Sequence, residues 1–192
     1  MGHETTKSNI QRRIYNKKFH EKYFVGNGLD IGCGNDPLRN DIFLKIKNID
    51  LFDKSNGDAG DLNLLKKYNF IYSSNCLEHL VDPINAFTKW FYHLEIGGFI
   101  IITVPDEDLY EQRNFPSKYN RDHKWTFTIY KNKSWCNKSI NILHLLSNLS
   151  NDSFRIHDIT LCDTNYNYLI NNKDQTRGCA EAFIELIVER IK

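Results

Sequence analysis

The chain has 192 residues, 41% of them hydrophobic, and its 25 Lys and Arg nearly balance its 24 Asp and Glu, for a formal charge of +1. Those values exclude collagen, coiled coil and wholesale disorder, and they leave no global field that would gather nucleic acid or an anionic membrane. A chain of this length can bury roughly 70% of the surface its unfolded form exposes, so a single domain over residues 1–192 is expected, with no metal or disulfide staple. The five cysteines (Cys33, Cys76, Cys136, Cys162, Cys179) are widely spread with no Cys-x-x-Cys pair, which argues for a reducing compartment and against a zinc ribbon. Met1 to Lys18 carries charge without a signal-peptide apolar core, and the longest apolar run, Phe99 to Val104, is too short to span a bilayer. A cytoplasmic protein without a membrane partner is expected.

In chain order, Ile10, Ile14, Phe19, Tyr23 and Phe24 recur at helix-compatible spacing with basic residues between them. This predicts an amphipathic helix over roughly residues 7–24, ended by Gly26-Asn27-Gly28. A short buried strand begins near Val25 and includes Leu29-Asp30-Ile31; a second covers Ile46 to Leu51 and a third Asn69 to Ser74. Asp82 as N-cap and Pro83 at the first helical position open a helix reaching Glu95, with Ile84, Phe87, Trp90, Phe91 and Leu94 on its apolar face and Gly97-Gly98 stopping it. Phe99 to Val104 reads as a central parallel strand. Residues 105–135 are polar and aromatic without a period, the mark of a functional excursion. A helix over Ser134 to Leu149, burying Ile140, Leu143 and Leu145 or Leu146, is followed by strands Phe154 to Leu161 and Glu181 to Ile191, joined by a polar loop. The alternation indicates an α/β fold with a mostly parallel central sheet, whose ligands sit beyond the carboxyl ends of its strands.

The first motif after a strand is Gly28-Leu-Asp-Ile-Gly-Cys-Gly34. Gly32 and Gly34 permit a sharp turn and a close ligand approach, and Asp30 can accept from an amino group; a plain tight turn reads equally well. Asp50 lies 20 residues beyond Asp30, which suits a carboxylate taking both hydroxyls of a ribose. After Gly34 comes Asn35-Asp36-Pro37, an acid where a pyrophosphate would need backbone N–H groups, so an adenosine ligand without a pyrophosphate fits better than a dinucleotide.

With these motifs the chain resembles the class I S-adenosylmethionine-dependent methyltransferases. The resemblance is carried by Leu29-Asp-Ile-Gly-Cys-Gly34, Ile49-Asp50, Gly57-Asp-Ala-Gly-Asp-Leu62 and Tyr72-Ser-Ser-Asn-Cys-Leu-Glu-His-Leu80, followed by Asp82-Pro83 and Gly97-Gly98, all within residues 28–105. It implies a Rossmann-like fold with helices on both faces of a mostly parallel sheet and an antiparallel last strand. It implies S-adenosyl-L-methionine as cofactor, with Asp30 facing the methionine amino group and Gly32, Cys33 and Gly34 packed against the ligand. Asp50 and Leu51 would serve the ribose and its surroundings, Asp58 with the Ala59 amide the adenine, and Asn75 with Cys76 the methionyl rim. Only 16 residues separate Gly34 from Asp50 and 8 separate Asp50 from Asp58, so the intervening helices are shortened or absent, and Asp53 or Asp61 could stand in for Asp50 or Asp58. Residues 25–105 would then be the cofactor half, 106–135 the acceptor-facing excursion and 136–192 the completion of the sheet, with 1–24 a lid or a packing helix.

Val104-Pro-Asp-Glu-Asp-Leu-Tyr-Glu-Gln112, Asn120-Arg-Asp-His-Lys-Trp-Thr-Phe127, Asp174-Gln-Thr176 and Ala180-Glu181 further resemble a bacterial-type subgroup that occurs with polysaccharide biosynthesis enzymes. That resemblance implies O-methylation of a small hydroxylated acceptor, a sugar or nucleotide sugar, in glycan biosynthesis. A hydroxyl acceptor needs a base. His123 in the excursion is the first candidate, oriented by Asp122 or Asp106, and His79 the second; each could instead be a scaffold group. Tyr110, Tyr119, Trp125 and Phe127 could stack on a sugar or base or simply pack the excursion, and Lys118, Arg121 and Lys124 could hold a diphosphate. Asp106 belongs to the same substrate-facing set. No ligand spacing demands a metal, although Asp106, Asp108 and Asp122 could gather around one. Methylation of an amine, protein or RNA, or a non-catalytic cofactor-binding module, are the competing readings, RNA being disfavoured by the charge balance.

Overall fold

In the computed structural model of the chain, residues 3–39, 45–129, 131 and 133–192 are described. Six strands form one sheet in the order β2-β1-β3-β4-β8-β7: β1 (Gly26–Ile31), β2 (Ile46–Phe52), β3 (Tyr68–Ser74), β4 (Leu94–Pro105), β7 (Phe154–Cys162) and β8 (Phe183–Arg190). The pairs β1–β2, β1–β3 and β3–β4 are parallel, while β8 runs antiparallel to both β4 and β7. The apolar run Phe99 to Val104 in β4 follows from this central position, where both faces are covered.

One face of the sheet carries Leu29, Ile31, Ile71, Ile100 and Ile102 under α3 (Pro83–Tyr92) and a 3₁₀ turn at Ile142–Leu146. Asp82 starts α3 by accepting from the Asn85 amide at 3.0 Å, and Ala86, Phe87, Trp90 and Phe91 form its buried stripe. The opposite face packs Phe24 and Tyr23, from the end of α2 (Lys17–Tyr23), against Phe70, Tyr72 and Ile101. Gly28 lets the Phe70 ring lie across β1, since a Cβ there would sit 2.0 Å from the ring.

The predicted amino-terminal helix is interrupted. After the short α1 (Glu4–Thr6), a π-helical turn spans Lys7–Arg12, and α2 begins afresh where the Asn16 side chain accepts from the Phe19 amide at 3.1 Å. The break has a polar cause: Arg13 is buried against Glu185, and Arg12 pairs with Glu181 at 2.8 Å, so basic residues face inward. Gly26-Asn27-Gly28 lies inside β1 and does not end the helix. Likewise Gly97-Gly98 lies within β4, which starts at Leu94, directly after α3.

The helix expected over Ser134 to Leu149 is replaced by β6 (Ser139–Asn141), which pairs in parallel with β5 (Thr126–Thr128), and by the 3₁₀ turn at Ile142–Leu146. The Asn141 side chain accepts from the Leu143 amide at 3.1 Å and turns the chain there, leaving Leu143 47% exposed. Leu145 and Leu146 are buried as expected because a short turn serves the same i, i+3 spacing, and Ile140 is buried where β6 pairs opposite Phe127. Between β2 and β3 only a 3₁₀ turn at Ala59–Asp61 takes the place of a helix; the connection between β1 and β2 lies partly outside the described residues. No helix among the described residues is long and apolar enough to cross a membrane.

Candidate active site

The parallel strands end along one edge, at Ile31, Phe52, Ser74 and Pro105, and β8 begins there opposite Pro105 at Phe183. The chain leaves β1 to form β2 on one side and then β3 on the other, so the crevice beyond β1 and β3 is where such sheets hold ligands.

Gly32 turns the chain out of β1 at φ +76°, and its amide donates to the Phe52 carbonyl at 2.7 Å. A Cβ at Gly32 would lie 2.7 Å from both Cβ and Sγ of Cys76, so the first glycine loop and the residue after β3 are in contact only because this position has no side chain. Gly32→Ala is therefore expected to lower stability by about 2 kcal/mol through combined backbone strain and collision, measurable by urea denaturation; an unchanged midpoint would contradict it. Cys33 is half-buried, and burial with the nearby Asp30 and Asp53 carboxylates raises its thiol to about 11, which keeps it neutral. Gly34 is exposed, with open space where a side chain would stand.

Asp30 is 1% exposed, and its Oδ2 accepts from the Leu38 amide at 2.7 Å, pinning the loop beyond Gly34. Burial pushes its carboxyl up to about 7, with Asp36 adding repulsion. Asp36, the acid that spoils a pyrophosphate site, is taken by Thr6, whose hydroxyl donates at 2.6 Å and whose amide donates at 2.9 Å.

Asp50 sits inside β2, opposite Leu29. Its carboxylate accepts from Lys66 Nζ at 2.6 Å, Asn48 at 2.7 Å and the Tyr68 hydroxyl at 3.0 Å, and the Lys66 bond foremost holds it below the ordinary carboxylate range. Leu51 is 49% exposed on the same strand, short of its end. The acid at the carboxyl end is Asp53, which directly follows Phe52, the residue bonded by Gly32. In the parallel register β1 ends at Ile31 opposite Phe52, which puts Asp53 just past the carboxyl end of β2 and Asp50 within the strand. Asp58 accepts from the Gly60 amide at 2.8 Å at the head of the 3₁₀ turn, and the Ala59 carbonyl accepts from Trp90 Nε1 at 2.8 Å, tying that turn to α3. Asp61 is fully exposed and pairs with Lys89 at 2.6 Å.

Asn75 follows β3 with φ +50°, and its buried Oδ1 has no hydrogen-bond partner. The next 3₁₀ turn, Leu77–His79, carries the most unusual group of side chains. Glu78 is fully buried, and neither carboxylate oxygen meets a donor. His79 Nε2 lies 3.8 Å and His123 Nε2 3.9 Å from the same Glu78 Oε1. His123 Nδ1 bonds Glu111 Oε1 at 2.8 Å, and His79 Nδ1 lies 3.3 Å from the Asp122 carbonyl. Burial pushes Glu78 up to about 7, and burial with the neighbouring His123 pushes His79 down to about 4. Burial disfavours the His123 imidazolium, but Glu111 and Glu78 outweigh it and raise His123 above the ordinary histidine value.

Glu111, not Asp122 or Asp106, therefore orients His123. Asp106 is spent on its own turn: its Oδ1 accepts from the Asp108 and Leu109 amides at 3.0 and 2.9 Å. Asp108 pairs with Lys131, so Asp106, Asp108 and Asp122 do not gather. The excursion is fastened to the Leu77–His79 turn by backbone as well, since the Lys124 and Trp125 amides donate to the Glu78 carbonyl at 2.8 and 3.2 Å. Lys124 Nζ donates to the His79 carbonyl. Trp125 Nε1 donates to the Leu80 carbonyl at 3.1 Å, its ring lies 4.7 Å from Lys138 Nζ and it packs on the core, so both Lys124 and Trp125 serve as anchors. Phe127 is fully buried in β5, and Arg121 is exposed.

The rings of His123, Tyr110 and Tyr119 follow one another at centroid spacings of 5.2 and 6.0 Å and lead to a cleft of about 770 Å³ lined by Lys118, Tyr119, Ile170, Lys173, Gln175 and Arg177. Most of this cleft comes from the polar loop between β7 and β8, a segment that sequence reasoning assigned to completing the sheet. At the same edge, Ser8 and Arg12 bond Glu181 at 3.0 Å, and Lys7 Nζ donates to the Thr176 carbonyl, so the amino-terminal turn packs against the carboxyl-terminal loop.

Residues 8–138 match the family pattern described as a methyltransferase domain. No curated protein matches the chain. Among solved structures, the fold is similar to that of an S-adenosylmethionine-dependent methyltransferase from Clostridium acetobutylicum, at 14% identity over 99% of this chain and 92% of that one, with a TM-score of 0.58. It is also similar to the N-methyltransferase NodS from Bradyrhizobium japonicum in complex with S-adenosyl-L-homocysteine, at 11% identity over 95% of this chain and 87% of that one, with a TM-score of 0.58. A third likeness is to the plantazolicin methyltransferase BpumL in complex with the same product, at 14% identity over 98% of this chain and 86% of that one, with a TM-score of 0.56.

Proposed function

Since the chain belongs to the class I S-adenosylmethionine-dependent methyltransferases, its family match running through residues 8–138, we propose that it transfers a methyl group to a hydroxyl of a small acceptor, a sugar or nucleotide sugar. The observation that carries this reading is the Glu78–His79–His123 cluster beside the glycine loop, joined by the Tyr110 and Tyr119 rings to a cleft with basic residues on its wall.

The crevice residues fit S-adenosylmethionine. The positive φ of Gly32 and Gly34 and the open space beside Gly34 allow close approach, and the orphaned Asn75 Oδ1 is an acceptor awaiting a donor such as the methionine ammonium. Asp53 would take the ribose hydroxyls, Asp58 and the Ala59 amide the adenine edge, and Asp30 would hold the loop beneath the methionine end. When bound, the cofactor supplies an already activated methyl on a sulfonium centre, open to in-line displacement.

The protein's own work is alignment and proton removal. A sugar hydroxyl does not ionise near neutrality, so a positioned base contributes roughly 10²- to 10⁴-fold. His79 is the accessible member of the cluster, its side chain 29% exposed against 4% for His123. Lys118, Lys173 and Arg177 suit the phosphates of a nucleotide sugar. Five free cysteines support a reducing, cytoplasmic setting.

Calorimetric titration of the purified chain with S-adenosyl-L-homocysteine is expected to give saturable 1:1 binding, weakened by Asp53→Asn and little affected by Asp50→Asn. Absence of binding would end the proposal at its first step. A larger loss from Asp50→Asn than from Asp53→Asn would return the ribose to Asp50.

A further inference from the structure

We propose that Glu78, His79 and His123 form a binding site for a divalent cation of the zinc type. One donor atom of each lies within 4.8 Å of the other two. Two imidazole Nε2 atoms converge on a single carboxylate oxygen at 3.8 and 3.9 Å, too far for hydrogen bonds. Ligands placed tetrahedrally at about 2.0–2.2 Å from zinc stand roughly 3.4 Å from one another, so each imidazole–carboxylate separation needs to close by only about half an ångström.

The outer partners are those a metal site needs. Each histidine has its Nδ1 turned to an acceptor, Glu111 Oε1 for His123 and the Asp122 carbonyl for His79, which leaves both Nε2 lone pairs directed inward. Glu78 gives independent support. A fully buried carboxylate with both oxygens unpartnered is costly unless something compensates it, and a cation between it and the imidazoles would do so. Two histidines and one carboxylate with an open position is the ligand set of catalytic zinc. The partly exposed His79 marks the side from which a further ligand enters.

The use of this site rests on the methyl-transfer reading. An acceptor hydroxyl in the open position would lose its proton to water more readily. Its O–H bond breaks, an O–C bond to the methyl forms, and the sulfonium S–C bond breaks to release the thioether. The existence of the site can be tested without turnover.

The purified chain, stripped with a chelator, would be titrated with Co(II) as the probe for zinc. The expected result is 1:1 uptake with the visible absorption of a four- or five-coordinate site, displaced by Zn(II). Glu78→Gln and His79→Asn should each weaken uptake at least about 100-fold, and Glu111→Gln, which touches no metal, about 10- to 100-fold. Should Glu78→Gln fail to fold by circular dichroism, His79→Asn at the partly exposed position carries the test. No Co(II) uptake by a chain that still binds S-adenosyl-L-homocysteine overturns the metal site and leaves the methyltransferase reading standing. Uptake unchanged in His79→Asn overturns it equally.

Discussion

Replacing His123 with alanine is expected to lower methyl transfer by roughly 10²- to 10⁴-fold while leaving the affinity for S-adenosyl-L-homocysteine close to that of the unaltered protein. The separation follows from where the groups reside. The crevice is built by the ends of β1, β2 and β3, whereas the His123 ring enters on the excursion between β4 and β5 and meets Glu78, His79, Glu111 and Tyr110. Alanine also leaves the buried Glu111 carboxylate without its 2.8 Å partner, which destabilises the fold by about 1–3 kcal/mol. His123→Gln restores a donor toward Glu111 but no imidazole, so it should recover stability without recovering rate. Turnover at the normal rate in either variant would remove His123 from the chemistry.

Asp30→Asn is expected to make the protein more stable above neutrality and a poorer cofactor binder. The Asp30 carboxyl has its folded value raised from 3.8 to about 7 by burial, so between those two pH values the native state holds a proton that the unfolded state has lost. Stability then falls as pH rises from about 4 to 7 and is level beyond, a total cost of about 4 kcal/mol from this one group. Asparagine keeps an acceptor for the Leu38 amide and removes the charge, so the variant's advantage should be absent near pH 4 and complete above pH 7, as read from urea midpoints across that range. An advantage independent of pH would show that the carboxyl titrates normally. Loss of the negative charge beneath the loop should weaken binding of the ammonium-bearing product, the usual exchange of stability for function.

The β1 motif, the Asp82-Pro83 start of α3 and the β4 run were legible because each is a local signal. A left-handed glycine, a capping carboxylate and an unbroken apolar strand state their own conformation. The same local logic failed at Ser134 to Leu149, where apolar spacing fits a helix and a 3₁₀ turn alike, and the pairing of Ile140 with Phe127 across β5 and β6 decided between them. It failed also at Arg13, whose partner Glu185 is far along the chain.

For the site, the amino-acid sequence was enough to name the fold class and, through the resemblance its motifs carry, the cofactor, and to single out two histidines worth testing. Only the folded chain decided that Asp50 lies within β2 and Asp53 just past its end, that Glu111 orients His123, that Glu78 lies buried beside two imidazoles, and that the loop between β7 and β8 walls the cleft next to Tyr119. Each of those depends on register or on contacts between distant segments. Spacing along a chain does not encode them, because strand pairing and side-chain burial are settled by the packing of the whole sheet.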